Sequence, residues 1–519
     1  MKFEIGIWKF KPMLSIETIF KKINSVSKDT RTPIYVVGGF ARDFLLDREQ
    51  KKDVDFVVVG SGLEFAKKFD EAMDKAGSLV EFPNFDTARY IIDLTPPSLP
   101  LKREEIDKPP LFKAGAGGGQ IVLEFAGARM EKYKADSRKP IVEQTTLEED
   151  LARRDFTVNS MAVPVAIFAD WKKMTEAKLK KSLIDPFNGQ KDIKNKVLRT
   201  PLEPDQTFSD DPLRMMRAVR FASQLDFSID PKTLESIYKN RERLKIVSAE
   251  RIQEELFKLM SCPKPSIGLT LMWQTHLLDL VLPEVAKLEG VEEIYGHQHK
   301  DNLVHTFKVV DNVAERSDKV LLRLAGLFHD IGKTNTKKLI PKIGWTFHQH
   351  EHVGKKLVYQ ISRRLRFSKN DTDYLAKLVR WHQQPISLMD EGISDSAVRR
   401  LVVSLGEELG DLLILGRSDI TTGNPLKKEK RLKNYDNLEK KIAEVSERDK
   451  LRAFQSPLRG DEIMELAKLK PGPTVGNIKE AIEEAILDGI IPNEYEAAKK
   501  YFNKIKDKYL KDTKDWEKK

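Results

Sequence analysis

The sequence predicts an α+β chain: a head with a small mixed β-sheet and helices, followed by a long all-α body. Three observations support this. The apolar run Ile34–Val37 and the alternating Val54, Phe56 and Val58 read as strands. Strand-like and helical segments mix from 30 to about 165. Beyond about residue 205 the apolar spacing is almost entirely helical, with charged amphipathic stretches at 208–225, 248–260 and 478–489. A chain of 519 residues has room for about three or four domains. We divide it at 1–165, 166–295, 296–425 and 426–519.

Composition bounds the setting. Cys262 is the single cysteine, so no disulfide framework exists. The stretch MKFEIGIWKF carries charges throughout, unlike a signal peptide, and no apolar run reaches membrane-spanning length. The expectation is a cytoplasmic protein with no membrane association and no obligatory protein partner. The net charge of +10 fits either a lysine-rich surface or a polyanionic partner such as RNA.

Gly38 and Gly39 follow the first strand and open a short helix containing Arg42 and Asp43. Glycines at such a turn let backbone N–H groups approach a phosphate. Asp53 and Asp55 lie two residues apart on the next strand and so share a face. Paired carboxylates are hard oxygen ligands suited to Mg²⁺. Together these features describe a device for nucleoside triphosphates and two-metal phosphoryl transfer.

Residues 94–119 hold five prolines and a run of glycines between two strand-like segments, and read as a long, mobile hairpin extension. Arg153, Arg154 and Asp155 form either a solvated turn or a triphosphate clamp. Asp185-Pro-Phe-Asn-Gly189 by itself is an ordinary turn. Asp211 precedes Pro212 as a helix N-cap, and Arg214, Arg217 and Arg220 follow at intervals of three. Three arginines in register need an anion or a base edge opposite them.

In this order, GGFARD…DVDF, LARRDFTVN, DPFNGQKDI, DDPLRMMRAVRFA and SAERIQEELFKLM resemble the five motifs of the class II tRNA nucleotidyltransferase and bacterial poly(A) polymerase family. The likeness spans about residues 30–295. It implies a nucleotidyltransferase head in which Asp53 and Asp55 hold Mg²⁺, with Glu124 as a third carboxylate. It further implies triphosphate contacts from Gly39, Arg42 and Arg154, with Gly38 and Asp43 also in the nucleotide site and Asp155 toward the ribose. Asp211 and Arg214 would select the base, with Arg217 and Arg220 beside them. Asp136 and Arg138 would lie in a mobile loop. The implied substrates are the 3′ end of tRNA with CTP and ATP. Poly(A) polymerase, CC-adding and A-adding enzymes share these motifs.

Eight of the nine histidines lie between 297 and 382. This density points to imidazole–metal chemistry. The series His305, His329-Asp330, His350, His382 and Asp419 resembles the HD superfamily of metal-dependent phosphohydrolases. It implies a site for a divalent transition metal or Mg²⁺, and a rival reading of the chain as a phosphohydrolase with an RNA-holding head. His297 and His299 read as surface residues. The tail resembles the C-terminal part of bacterial CCA-adding enzymes, and KPGPTVG before a helix offers an anion site for a tRNA phosphate.

Overall fold

The computed structural model describes residues 15–48, 53–94, 119–134, 137–169, 176–290, 293–294, 297–298, 302–340, 344–390, 394–450, 457–511, 513 and 515–518. They form two compact units, Met1–Leu259 with Ile267–Leu280, and Met260–Ser266 with Val281–Lys519. Residues 95–118, Asp136 and His299 lie outside the described residues, as do the side chains of Arg138 and His297.

The first unit includes the strands β1 (Ile34–Val37), β2 (Asp53–Val58), β3 (Ser78–Phe82), β4 (Thr87–Leu94), β5 (Gly119–Gly127), β6 (Arg129–Lys134), β7 (Ser137–Gln144) and β8 (Ala162–Pro164), with a short parallel pair at Val197–Leu198 and Ser228–Ile229. Six of them make one sheet in the order β3-β4-β5-β2-β1-β8, while β6 and β7 pair separately. Within the sheet only β2 and β5 run parallel, so it is mixed as expected. The antiparallel β4–β5 pairing runs to Leu94↔Gly119.

Strand alternation gives the sheet two different faces. One face carries Val36, Val54, Phe56, Ala88, Tyr90, Leu123 and Phe125. It packs on α1 (Ile16–Thr30), α2 (Gly39–Leu45) and α3 (Gly62–Ala72) through Phe20, Phe40, Phe65 and Phe69. Phe56 and Phe125 stack at 5.1 Å between centroids. Burying each such ring contributes about 1.5–3 kcal/mol. On the other face Val37 and Val57 pack on Leu151 of α4 (Leu147–Ala152). That cover lies over the β1–β2 half, where Tyr35, Ile184 and Phe187 complete it.

Three short helices, α5 (Val165–Ala169), α6 (Glu176–Ser182) and α7 (Gly189–Asn195), follow the sheet. The Asp185-Pro-Phe-Asn-Gly189 motif has a structural role. The Asp185 carboxylate accepts from Gly189 N (2.6 Å) and Gln190 N (3.0 Å), capping α7, and Thr157 Oγ1 donates to Asp192 at 2.7 Å. The expected helix at 208–225 is two helices, α8 (Pro204–Asp210) and α9 (Leu213–Leu225). Pro212 has no N–H to donate and breaks the run. It also takes the N-cap place expected of Asp211, although the Asp211 carboxylate still accepts from Leu213 N at 3.2 Å.

The second unit is helical apart from short two-stranded pairs at 293–298 and 338–346. Residues 457–518 have a core of their own, with Ile463, Val475, Ile478, Ile482, Ala498 and Phe502. Here one expectation is corrected. The helix Pro473–Leu487, which begins inside KPGPTVG, already has an anion at its N-terminus: Thr474 N donates to the buried Glu517 carboxylate at 3.0 Å.

A Cβ on Gly189 would lie 2.4 Å from Thr157 O, whereas one on Gly476 meets nothing within 4 Å. Gly189→Ala should therefore destabilise the head by about 2 kcal/mol or more. Gly476→Ala, within a helix, should stabilise by about 0.5–1 kcal/mol. Thermal melts of both variants check this.

Candidate functional site

The nucleotide-binding candidates fall into three neighbouring groups in the first unit. The first is the acidic face. Asp53 and Asp55 alternate out of β2 and remain exposed, while Val54 and Phe56 point into the core. The register pairs Asp55 with Glu124 on β5, and Glu124 with Arg89 on β4, so all four side chains share one face. Arg89 Nε donates to Glu124 Oε2 at 2.7 Å. Gly38 has φ +69°, and a Cβ there would lie 3.4 Å from Asp55 Oδ2 and 3.5 Å from Arg154 Nη1. The bare backbone of the turn therefore lets an acid and a guanidinium approach it from the same side. Although Asp55 keeps exposed surface, the protein packed around its carboxyl raises its pKa, and Glu124 and Asp53 add to this while Arg154 and Arg217 oppose it. A divalent cation would relieve that like-charge repulsion, so the donor set fits one. The resident residues alone do not relieve it.

The second group is a buried arginine–carboxylate network. Arg42 uses all three guanidinium nitrogens within the protein, donating to Asp43 (2.8 and 2.6 Å) and to Asn159 Oδ1 (2.7 Å). Arg217 donates twice to Asp155 Oδ2, at 2.9 and 2.5 Å. Arg220 donates to Glu255 at 2.7 Å. Burial would raise the pKa of Asp155, but Arg217 and Asn159 outweigh it and hold it at about 2. The anion demanded by the arginine register is thus supplied largely from within. Asp155 is taken up by Arg217, Asn159 and its neighbouring Phe156 N–H. Glu255, which meets Arg220, lies in SAERIQEELFKLM, and nothing in its local spacing marked it.

The third group joins Arg154 and the Asp211/Arg214 pair. Arg153 and Arg154 share the buried Asp150, whose pKa burial would raise but the two guanidiniums lower. Arg214 Nη2 donates to Arg153 O at 2.7 Å, tying α9 to the arginine turn. Asp211 Oδ2 pairs with Arg251 at 3.1 Å.

In the second unit the HD residues converge. His329 ends the apolar helix Val320–Phe328, and Asp330 follows at its C-terminus. A Cβ on Gly332 would lie 2.0 Å from His350 O, so the glycine of HDIGK admits the start of the helix His350–Arg364. His329, His350 and His382 each donate from Nδ1 to a backbone carbonyl (Gly326, Phe347 and Val379, at 2.7–2.9 Å), and His305 Nδ1 meets Thr421 Oγ1 at 2.8 Å. That leaves the Nε2 atoms for a common centre. Among the described residues, two sets have ligand atoms within 4.8 Å of one another: His305, His329 and Asp419, and Asp330, His350 and His382. Both belong to this centre, and the head carboxylates form no such set. Burial, with His329 and His350 beside it, drives His382 down to about 3, so it stays neutral as a ligand must. Burial lowers His329, but Asp330 and Asp419 reverse this and lift it to about 10. His329 Nε2 is buried 3.1 Å from Asp330 Oδ2, and an ion bound there would displace its proton. A mixed nitrogen and oxygen set of this kind fits a divalent transition metal. Sequence reading missed Lys333, which donates to Asp330 Oδ2 at 2.6 Å.

Fold and sites together define a nucleotidyltransferase head on a chain that carries a separate histidine-rich centre. Family models match as follows: "Poly A polymerase head domain" at 34–95 and 111–199, "Probable RNA and SrmB-binding site of polymerase A" at 226–288, and "HD domain" at 300–448. The head match skips 96–110, within the unfamiliar insert. The A-adding tRNA nucleotidyltransferase of Deinococcus radiodurans is 33% identical over 362 residues, covering 68% of this chain and 78% of that protein. The multifunctional CCA protein of Dechloromonas aromatica is 33% identical over 356 residues, covering 67% and 73%. Among solved structures, the Bacillus stearothermophilus CCA-adding enzyme in complex with CTP has the same fold (TM-score 0.61, 21% identity, 97% and 100% covered). So does the Thermotoga maritima CCA-adding enzyme complexed with tRNA (TM-score 0.53, 20% identity, 95% and 97% covered). The chain belongs to the tRNA nucleotidyltransferase and poly(A) polymerase family, and is a transferase with an HD domain. Among its described residues no helix is long and apolar enough to cross a membrane.

Replacing Arg217 by Met would leave Asp155 buried without its main partner. The expected loss at neutral pH is about 2–3 kcal/mol, less than for a fully buried pair because a third of Arg217 meets solvent. The stability that Asp155 contributes is complete above the ordinary carboxylate range and is lost as pH falls through about 2. Denaturant titrations should therefore show the gap between wild type and Arg217→Met closing toward pH 2.

Proposed function

We propose that this protein adds CCA to the 3′ end of tRNA from CTP and ATP, without a nucleic-acid template and with release of pyrophosphate. The observation that carries this reading is the shared face of Asp53, Asp55 and Glu124 beside the Gly38 turn and Arg154. When bound there, Mg²⁺ would neutralise triphosphate charge and favour ionisation of the RNA 3′-hydroxyl. The chain's own residues bind and orient. Gly38 and Gly39 offer bare backbone at the start of α2, and Arg154 brings a guanidinium to the same turn. Arg42 and Asp155 support the wall through Asn159 and Arg217. Asp211 and Arg214 supply an acceptor and a donor for base edges, and a wrong base leaves these groups without partners.

We divide the chain into a catalytic head (1–165), a nucleotide-selecting and RNA-binding region (166–295), an HD domain (296–425) and an RNA-binding tail (426–519). The likeness to the Deinococcus A-adding enzyme favours A addition alone as a second reading. The convergence of four imidazoles and two carboxylates supports a further phosphohydrolase activity in the HD domain.

Transcripts lacking CCA, CA or A, offered single labelled nucleoside triphosphates with Mg²⁺, separate these readings. Completion of all three ends supports CCA addition. Extension only of the end lacking A supports the second reading, and open-ended A tails would replace both with a poly(A) polymerase.

Asp53→Asn with Asp55→Asn should lower incorporation at least 1,000-fold while leaving the metal content of the HD domain unchanged. Elemental analysis of the purified variant checks the second half. Loss of that metal would mean the two centres are not independent.

A further inference from the structure

The acidic face of the head sheet continues beyond its acids. The register runs from Asp55 to Glu124, from Glu124 to Arg89, and from Arg89 to Val80 on β3. Paired residues across a sheet project from the same side, so these four form a row across four strands. The next row ends with Thr87 on β4 paired to Phe82 on β3. Helix α4 covers the β1–β2 half of this face, but at the β3 end Val80 and Phe82 are 42% and 37% exposed. Arg89 sits 5.6 Å over the Phe82 ring while its Nε holds Glu124. A cation and an aromatic ring thus stand in line with the catalytic candidates.

We propose that Phe82, with Val80 and Arg89, is a stacking platform for the last bases of the RNA strand whose 3′ end enters the acidic face. This rests on the nucleotidyl-transfer reading above. Three steps of about 4.8 Å separate β2 from β3, which places the platform about 14 Å from Asp55. A stack of a few nucleotides spans that distance. An aromatic face serves any base, as an acceptor that grows and changes sequence requires. The guanidinium of Arg89 complements the phosphates that the acids would repel. The exposed apolar surface is a few side chains, far below the roughly 800 Å² per partner of a stable protein interface, so RNA is the occupant it fits.

The test uses the full chain and transcripts ending one or two residues short of CCA. Phe82→Ala should raise the KM for RNA roughly 5- to 150-fold, the range expected for one base stack, and leave the KM for nucleotide and kcat unchanged. Phe82→Trp should restore RNA binding. A fluorescent purine placed near the 3′ end should be quenched by the wild type and less so by Phe82→Ala. An unchanged KM for RNA overturns the proposal, as does an equal loss in Phe82→Trp. A change of oligomeric state without loss of RNA affinity would assign the face to a second copy and also overturn it. RNA binding by filter retention without nucleotide reads the platform separately. A wild type that retains RNA through Phe82 yet incorporates no nucleotide would refute the functional reading alone.

Discussion

The head depends on how three arginines are tolerated around one phenylalanine. The guanidiniums of Arg42, Arg217 and Arg220 lie 5.3, 5.3 and 3.9 Å from the centre of the Phe221 ring. Cations gathered this closely in a poorly solvated place repel strongly. Each is matched by its own carboxylate, Asp43, Asp155 and Glu255. The ring separates the charges and attracts each of them through its face. Phe156 closes the cluster edge-on against Phe221 at 5.8 Å. The partners come from α2, the turn at 155–159, α9 and the helix Ala249–Met260, so the network locks four distant segments together. Arg154 and Asp211/Arg214 hang from this frame. A base-selecting pair discriminates only if its donors and acceptors cannot shift to suit the wrong edge.

The two candidate centres manage acidic charge in opposite ways. In the head, Asp53 and Asp55 stay open to solvent, and Arg89 and Arg154 stand at the flanks. Such a site can accept a large anion and let a product leave. In the HD domain, His329, Asp330, His350 and His382 are all nearly or fully buried. Rotation of those rings would break the Nδ1 contacts to backbone, so their directions are set before any ion arrives. A rigid closed set suits a resident metal better than one that arrives with substrate.

The sequence made some of this legible and hid other parts for identifiable reasons. Strand alternation around Asp53 and Asp55 is a local property of the chain, and the observed strand reproduces it. The convergence of the HD histidines was legible because imidazole is scarce in this chain and concentrated in one region. Partners across long separations were not. Glu255 is 35 residues from Arg220, and Arg217 is 62 from Asp155. Nothing periodic links such positions. The apolar spacing ran through 208–225 as one stretch, although Asp211-Pro212 already marked a helix start within it. Here the missing N–H of proline outweighed the pattern.

An arginine stripe or a helix N-terminus therefore announces that an anion is needed, but not where it comes from. Glu517 answers for the tail helix, and Asp155 and Glu255 answer for Arg217 and Arg220. Where the protein supplies no full answer, a ligand's charge has a place. Arg154 has Asp150, but that carboxylate is divided with Arg153. Arg214 is held by the carbonyl oxygens of Arg153 and Thr207, which direct it without carrying a net charge. Both guanidiniums are thus oriented yet incompletely neutralised. Arg154 lies beside the Gly38 turn and Asp55, and Arg214 stands in the first turn of α9, close in sequence to Asp211.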